Sequence, residues 1–183
     1  MPVNAPNNDL NWLAPSFKLI NIDGKLLTLD ETKGKNGTVI VFICNHCPYV
    51  KAIASRLKYE SEQLLVHSIN TVAIMSNDVN NYPEDSYENM KLFSKKYSFN
   101  FPYLYDETQE IAKMYNAVCT PDFFGFDKNL KLKYRGRIDS GDINTKSNEK
   151  VDRDLFKAMI KIKNQEHLSS NQINSIGCSI KWK

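Results

Sequence analysis

A chain of 183 residues fits one domain, at about 100–200 residues per domain. Hydrophobic residues make up 42% of it and charged residues 25%, an ordinary balance for a soluble globular fold. With 24 Lys+Arg against 21 Asp+Glu the net charge is only +3, which gives no footprint for nucleic acid, and no window approaches the roughly 18 uninterrupted apolar residues of a membrane span.

Residues 1–14 are polar and proline-bearing and read as an extended arm. They carry no basic leader and no apolar run, so the expected compartment is the cytoplasm. Residues 16–22 alternate, with Phe17, Leu19 and Asn21 on one side; Asp23-Gly24 and residues 25–29 follow, a hairpin signal. The run 38–43 is continuously apolar and β-branched, as in a strand buried on both faces. From Pro48 onward Val50, Ile53, Ala54, Leu57, Leu64 and Leu65 keep helical spacing, and residues 71–75 form a second buried strand. Strand, helix and strand make a parallel crossover unit. Helices are predicted over 83–97, 107–116 and 149–163, the last with Val151, Leu155, Met159 and Ile162 inward. Strands are predicted over 101–105 and in a hairpin of 123–126 with 130–138. Within that hairpin Lys131, Lys133, Arg135 and Arg137 alternate with apolar residues and read as one wet, basic face. The tail from 165 is polar until residues 176–182. The expected class is α/β, with a central mixed β-sheet flanked by helices and an N-terminal β-hairpin extension.

The chemistry concentrates in four cysteines: Cys44, Cys47, Cys119 and Cys178. A domain of this size buries enough surface to stand without disulfides, so reactivity is the better reason for Cys44-Asn45-His46-Cys47. This Cys-x-x-Cys lies between a buried strand and a helix start, where unpaired N–H groups favour a thiolate. Pro48 at the first helical position makes Cys47 the cap residue and the favoured nucleophile. In the other frame Cys44 attacks and Cys47 is its partner. His46 is a modulator of charge and a candidate base. A structural zinc site wants two spaced ligand pairs, and no second pair exists, so no metal and no cofactor beyond the thiols is expected.

The segments Ala14-Pro15-Ser16-Phe17, Asp23-Gly24, Cys44-Asn45-His46-Cys47-Pro48-Tyr49-Val50, Cys119-Thr120-Pro121-Asp122-Phe123-Phe124 and Ile176-Gly177-Cys178-Ser179-Ile180-Lys181-Trp182 resemble the thioredoxin-like branch of the alkyl hydroperoxide reductase/thiol-specific antioxidant family. The resemblance spans nearly the whole chain. It implies a thioredoxin fold, with Pro121 as a cis-proline and Thr120 offering its backbone to a bound substrate strand. Cys47-Pro48 matches the peroxidatic pair of peroxiredoxins. Cys44 stands where those enzymes have a threonine, and Ile40 stands where they have a proline.

Thiol–disulfide exchange is therefore the leading expectation. A thiol peroxidase and a non-enzymatic, redox-sensing binding module are the alternatives. The substrate would be a protein or small-molecule disulfide, or a hydroperoxide, and the reductant a thiol such as thioredoxin or glutathione. Tyr49 would shape the rim of the site. Cys119 would pack or face Cys47, Cys178 would pack or resolve an oxidised Cys47, and Arg137 is a candidate substrate contact.

Overall fold

The computed structural model describes residues 2–6, 10–145, 149–169 and 171–183. Its strands are β1 (Pro2–Asn4), β2 (Lys18–Asn21), β3 (Leu26–Thr28), β4 (Gly37–Phe42), β5 (Ile69–Met75), β6 (Tyr103–Tyr105), β7 (Cys119–Thr120), β8 (Asp122–Phe126), β9 (Leu132–Gly136) and β10 (Ile176–Ser179). Its helices are α1 (Leu29–Thr32), α2 (Pro48–Val66), α3 (Tyr87–Tyr97), α4 (Glu110–Met114) and α5 (Asp154–Lys163), with one 3-10 turn at Pro83–Asp85.

Every residue of β4 is buried, and the strand lies inside a seven-stranded sheet of order β3-β2-β6-β5-β4-β8-β9. It runs parallel to β5, with Ile40 beside Val72, and antiparallel to β8, with Ile40 beside Phe124. The sheet is mixed: β5 and β6 are parallel, while β2 pairs antiparallel with both β3 and β6. Alternation along β4 assigns its side chains to two cores. Val39 and Val41 pack with Val50, Leu57 and Leu64 of α2, Met90 of α3 and Met159 of α5. Ile40 and Phe42 pack on the opposite face with Leu29, Ile111, Tyr115 and Phe124. Helices thus cover both faces. Among the described residues no helix is long and apolar enough to cross a membrane.

Several elements are shorter than the sequence suggests. Thr28 ends its strand because its side chain caps α1, with Glu31 closing the reciprocal half of a capping box. Ser86 caps α3 through Asn89 N, so the helix expected from 83 starts at Tyr87 and leaves Asp85 free in the preceding turn. Helix α5 starts at Asp154 rather than 149; Leu155, Met159 and Ile162 are buried as read, but Val151 precedes the helix. Leu65, expected on the buried stripe of α2, is 52% exposed.

The ends of the chain are also more ordered than an arm and a polar tail. Strand β10 lies between β1 and β7 in a second, three-stranded antiparallel sheet. Trp12 packs edge-on against Tyr115, Phe124 and Phe126. Nor is the basic stripe uniformly wet. Arg135 is buried and paired with Asp122 at 2.7 Å, because a fully buried carboxylate at the start of β8 demands a counter-charge.

Candidate active site

The turn between β4 and α2 is held by a carboxylate from outside it. Asp85 Oδ1 accepts from Asn45 N (2.7 Å) and His46 N (3.2 Å). Asp85 Oδ2 meets His46 Nδ1 at 2.6 Å and accepts from Asn77 Nδ2 at 2.7 Å. Tyr103, fully buried, donates its hydroxyl to Asn45 Oδ1 at 2.9 Å. The His46 ring stacks on Tyr82, with centroids 5.5 Å apart. Such a saturated network fixes the peptide planes of 44–47 and aims the two cysteines.

Cys47 is the N-cap of α2 and Pro48 its first residue. The Cys47 side chain is fully buried and that of Cys44 is 1% exposed. Cys47 Sγ lies 2.9 Å from Cys178 Sγ and 3.3 Å from the Thr120 carbonyl oxygen. Cys44 Sγ lies 3.3 Å from Thr120 Oγ1. All four cysteines are free thiols.

Burial alone would keep these sulfurs protonated, yet the Cys47 thiol falls to about 5. The largest cause is the S–H of Cys44, donated to the Cys47 thiolate; desolvation opposes it, and the Cys178 S–H and the N–H groups of Val50 and Cys178 add to it. The helix N-terminus, which the sequence credited with the effect, is thus one contributor behind a neighbouring thiol. Cys47 Sγ makes no side-chain cap hydrogen bond of full geometry, so Val50 N–H acts on it as a dipole. Thr120 O can accept only from a protonated Cys47 and so works against ionisation. Cys44 is held well above its ordinary range, first by donating to Cys47 and then by burial. Burial, with the bond to Cys47, pushes Cys178 up to about 12. At about 5, Cys47 is roughly 99% thiolate at pH 7.

His46 is held charged above its ordinary range, chiefly by its hydrogen bond to Asp85. Burial raises Asp85, but His46, Asn77 and the backbone N–H of Asn45 outweigh it and the net shift is downward. Cys44, His46 and Asp85 are the one group of three potential metal ligands among the described residues. Their donor atoms are already engaged: Asp85 accepts four hydrogen bonds and Cys44 contacts Thr120.

The remaining expected residues divide. The Thr120–Pro121 peptide is cis, and Thr120 is in the site. Its backbone, however, is already paired: β10 of the same chain places Cys178 opposite Thr120, where the resemblance implied a substrate strand. Cys119 is buried, with its thiol donating to Pro121 O at 3.9 Å; desolvation raises it strongly, and the charges of Asp122, Cys47 and Cys178 add to that. Pro48 is exposed at the helix start. Tyr49, Pro121 and Arg137 line a cleft of about 380 Å³ with Phe123 and Ile176. Arg137 brings no free charge to it, being paired with Asp154 at 2.6 Å. Asp85, the centre of the network, was missed; recognising Ser86 as a helix cap would have left Asp85 in a turn, able to reach elsewhere.

The model of the AhpC/TSA family matches residues 11–135. A conserved protein of uncharacterised role from Geobacillus kaustophilus is 42% identical, covering 100% of this chain and 97% of that one, with a TM-score of 0.94. The thiol-disulfide oxidoreductase ResA of Bacillus thuringiensis is 28% identical over 119 residues, 65% of this chain; the chain spans 64% of that relative's length. The thioredoxin domain of a thiol-disulfide oxidoreductase from Bacteroides vulgatus is 14% identical, with a TM-score of 0.60 over 70% of this chain and 88% of that one. The likeness shows a thioredoxin fold.

Proposed function

The chain belongs to the AhpC/TSA family, and from that premise we propose that it is a thiol–disulfide oxidoreductase with Cys47 as its nucleophile. The observation that carries this reading is the placement of Cys47 at the N-cap of α2 with Cys178 Sγ at 2.9 Å, where the thiols of Cys44 and Cys178 and the N–H groups of Val50 and Cys178 favour its thiolate. Such a sulfur attacks one sulfur of a substrate disulfide. The substrate S–S bond breaks, one substrate sulfur leaves as a thiolate and takes a proton, and a mixed disulfide remains on Cys47. A second thiol of the chain then attacks Cys47 Sγ and releases the other half of the substrate. His46 and Asp85 act by positioning the 44–47 turn. Thr120 and Pro121 form the wall against Cys47, and Pro48 and Tyr49 form its outer rim. An external thiol, of the thioredoxin or glutathione kind, restores the reduced state.

The test is reduction of insulin disulfides and oxidation of a dithiol peptide by the full chain. Cys47→Ser is expected to lose both activities by at least about 100-fold, the scale on which removing a covalent nucleophile acts. Activity unchanged in Cys47→Ser contradicts the reading.

One observation favours a second reading, reduction of hydroperoxides. Cys47 is fully buried, and a small oxidant reaches such a sulfur more readily than a folded protein does. Peroxide consumed in step with oxidation of Cys47 supports it; peroxide persisting over an unmodified Cys47 refutes it.

A further inference from the structure

We infer that Cys178 is the sulfur partner of Cys47, and that it is the sulfur through which external thiols reach the site. This rests on the reading of Cys47 as the reactive thiolate.

The position of Cys178 is built by its strand. β10 pairs with β7 so that Cys178 lies opposite Thr120 and Ser179 opposite Cys119, and Ile180 N continues the pairing to Val118 O at 2.9 Å. Gly177 makes the approach feasible. A Cβ there would meet Thr120 O at 2.0 Å, Thr120 C at 2.5 Å and Pro121 N at 2.9 Å, all backbone atoms. Beyond the strand, Lys181 is tied to Asn77 Oδ1 through its N–H (2.9 Å), and its carbonyl accepts from Asp78 N (2.8 Å) and Gln109 Nε2 (2.7 Å). On the other edge β1 sets Pro2 beside Cys178. The strand therefore lies where a substrate strand would pair, and it brings its own sulfur to 2.9 Å from Cys47. Cys44, the sequence neighbour, faces Thr120 and is sealed from solvent, as is Cys47; Cys178 is partly exposed.

The chemistry follows from that order. With a disulfide substrate, Cys47 thiolate forms the mixed disulfide and expels one substrate thiolate, which takes the Cys178 proton. Cys178 then attacks Cys47 Sγ, and the second substrate thiolate leaves. With a hydroperoxide, Cys47 thiolate takes the distal oxygen, an alcohol departs after protonation, and Cys178 S–H condenses with the sulfenic acid to release water. Either way two electrons leave the pair and a Cys47–Cys178 bond forms. Reduction reverses this from outside. An external thiolate attacks Cys178 Sγ, and Cys47 leaves as a thiolate. A second external thiolate attacks the mixed disulfide, closes the external disulfide and frees Cys178, which takes a proton from water. Attack on Cys178 has the better leaving group, because the sulfur expelled is the more acidic one.

The experiment treats the full reduced chain with one equivalent of hydrogen peroxide or of oxidised glutathione, alkylates the remaining thiols and maps the peptides. The expected product is a Cys47–Cys178 bridge with Cys44 and Cys119 alkylated, and the bridge still forms in Cys44→Ser. In Cys178→Ser, Cys47 should instead retain a sulfenic acid or a glutathione adduct. In Cys47→Ser, Ellman's reagent should label Cys178. A bridge from Cys47 to Cys44, a lasting Cys47 adduct in the unsubstituted chain, or labelling of Cys44 with Cys178 untouched overturns the inference and leaves the Cys47 thiolate standing. A Cys47 that reacts with neither oxidant overturns both.

Discussion

The charge on Cys47 depends on donors that reach it from separate parts of the chain: Cys44 from the same turn, Cys178 from 131 residues away, and the N–H of Val50 from the helix. An unfolded chain offers none of them, and its cysteines ionise near 8.5. Cys47 is thus an acid depressed by folding. It adds stability that is full above about 8.5 and is lost as the pH falls toward about 5. Thermal melts of the reduced chain against Cys47→Ser should therefore show a difference that grows as the pH rises from 5 to 8; a flat difference would count against the thiolate. Asp85 offers a second test. Its removal in Asp85→Ala strands four donors around a fully buried position, and the cost should be about 3 kcal/mol or more in urea denaturation. A loss below about 1 kcal/mol would mean that water replaces the carboxylate. Cys44, Cys47 and Pro48 were legible because their relation is local. His46 and Asp85 are 39 residues apart, and no periodicity links them.

Strand β10 is where local pattern and structure part most clearly. The tail reads as a short apolar end after a polar stretch, and the arm as extended and peripheral. Neither pattern contains the partner that makes a sheet of them, because Pro2 pairs with Cys178 across most of the chain and Cys178 pairs in turn with the distant Thr120. Gly177 carries the consequence. Gly177→Ala must lift β10 from the Thr120–Pro121 backbone and draw Cys178 away from Cys47. Closure of the Cys47–Cys178 bridge should slow by about 10-fold or more, since misplacement near 1 Å costs up to about 10² in rate. Stopped-flow oxidation followed by peptide mapping measures it, and an unaltered rate would show that the strand's close approach does not set the sulfur geometry. By contrast the strands β4 and β5 and the helix α2 were readable. A continuous apolar run and a 3.6-residue stripe each specify one burial pattern, and the buried Val50, Ile53, Ala54, Leu57 and Leu64 follow it.

Two apolar layers, one on each face of the seven-stranded sheet, make the platform on which the 44–47 turn and the Thr120 wall are fixed. The lower-numbered half of the chain supplies the turn, and β7 and β8 supply the wall, so their separation depends on the pairing of β4 with β8. Phe124 holds that pairing from the second face, packed against Phe42, Tyr115 and Trp12 and carrying the Arg135 guanidinium over its ring at 4.5 Å. Phe124→Ala should cost about 3–5 kcal/mol. Chemical denaturation measures it, and a cost below 2 kcal/mol would show that the aromatic cluster closes over the gap. The α/β class and the mixed sheet could be inferred from strand character and order. The buried Arg135–Asp122 pair could not, because an alternating cation on a strand looks the same whether it faces water or a carboxylate.

The central claim is the state of one sulfur. Measured as the rate of Cys47 alkylation by iodoacetamide against pH, with the labelled residue identified by peptide mapping, it should rise with an inflection near pH 5 and stay level through neutrality. An inflection at pH 8 or above, where an ordinary cysteine ionises, would contradict the account.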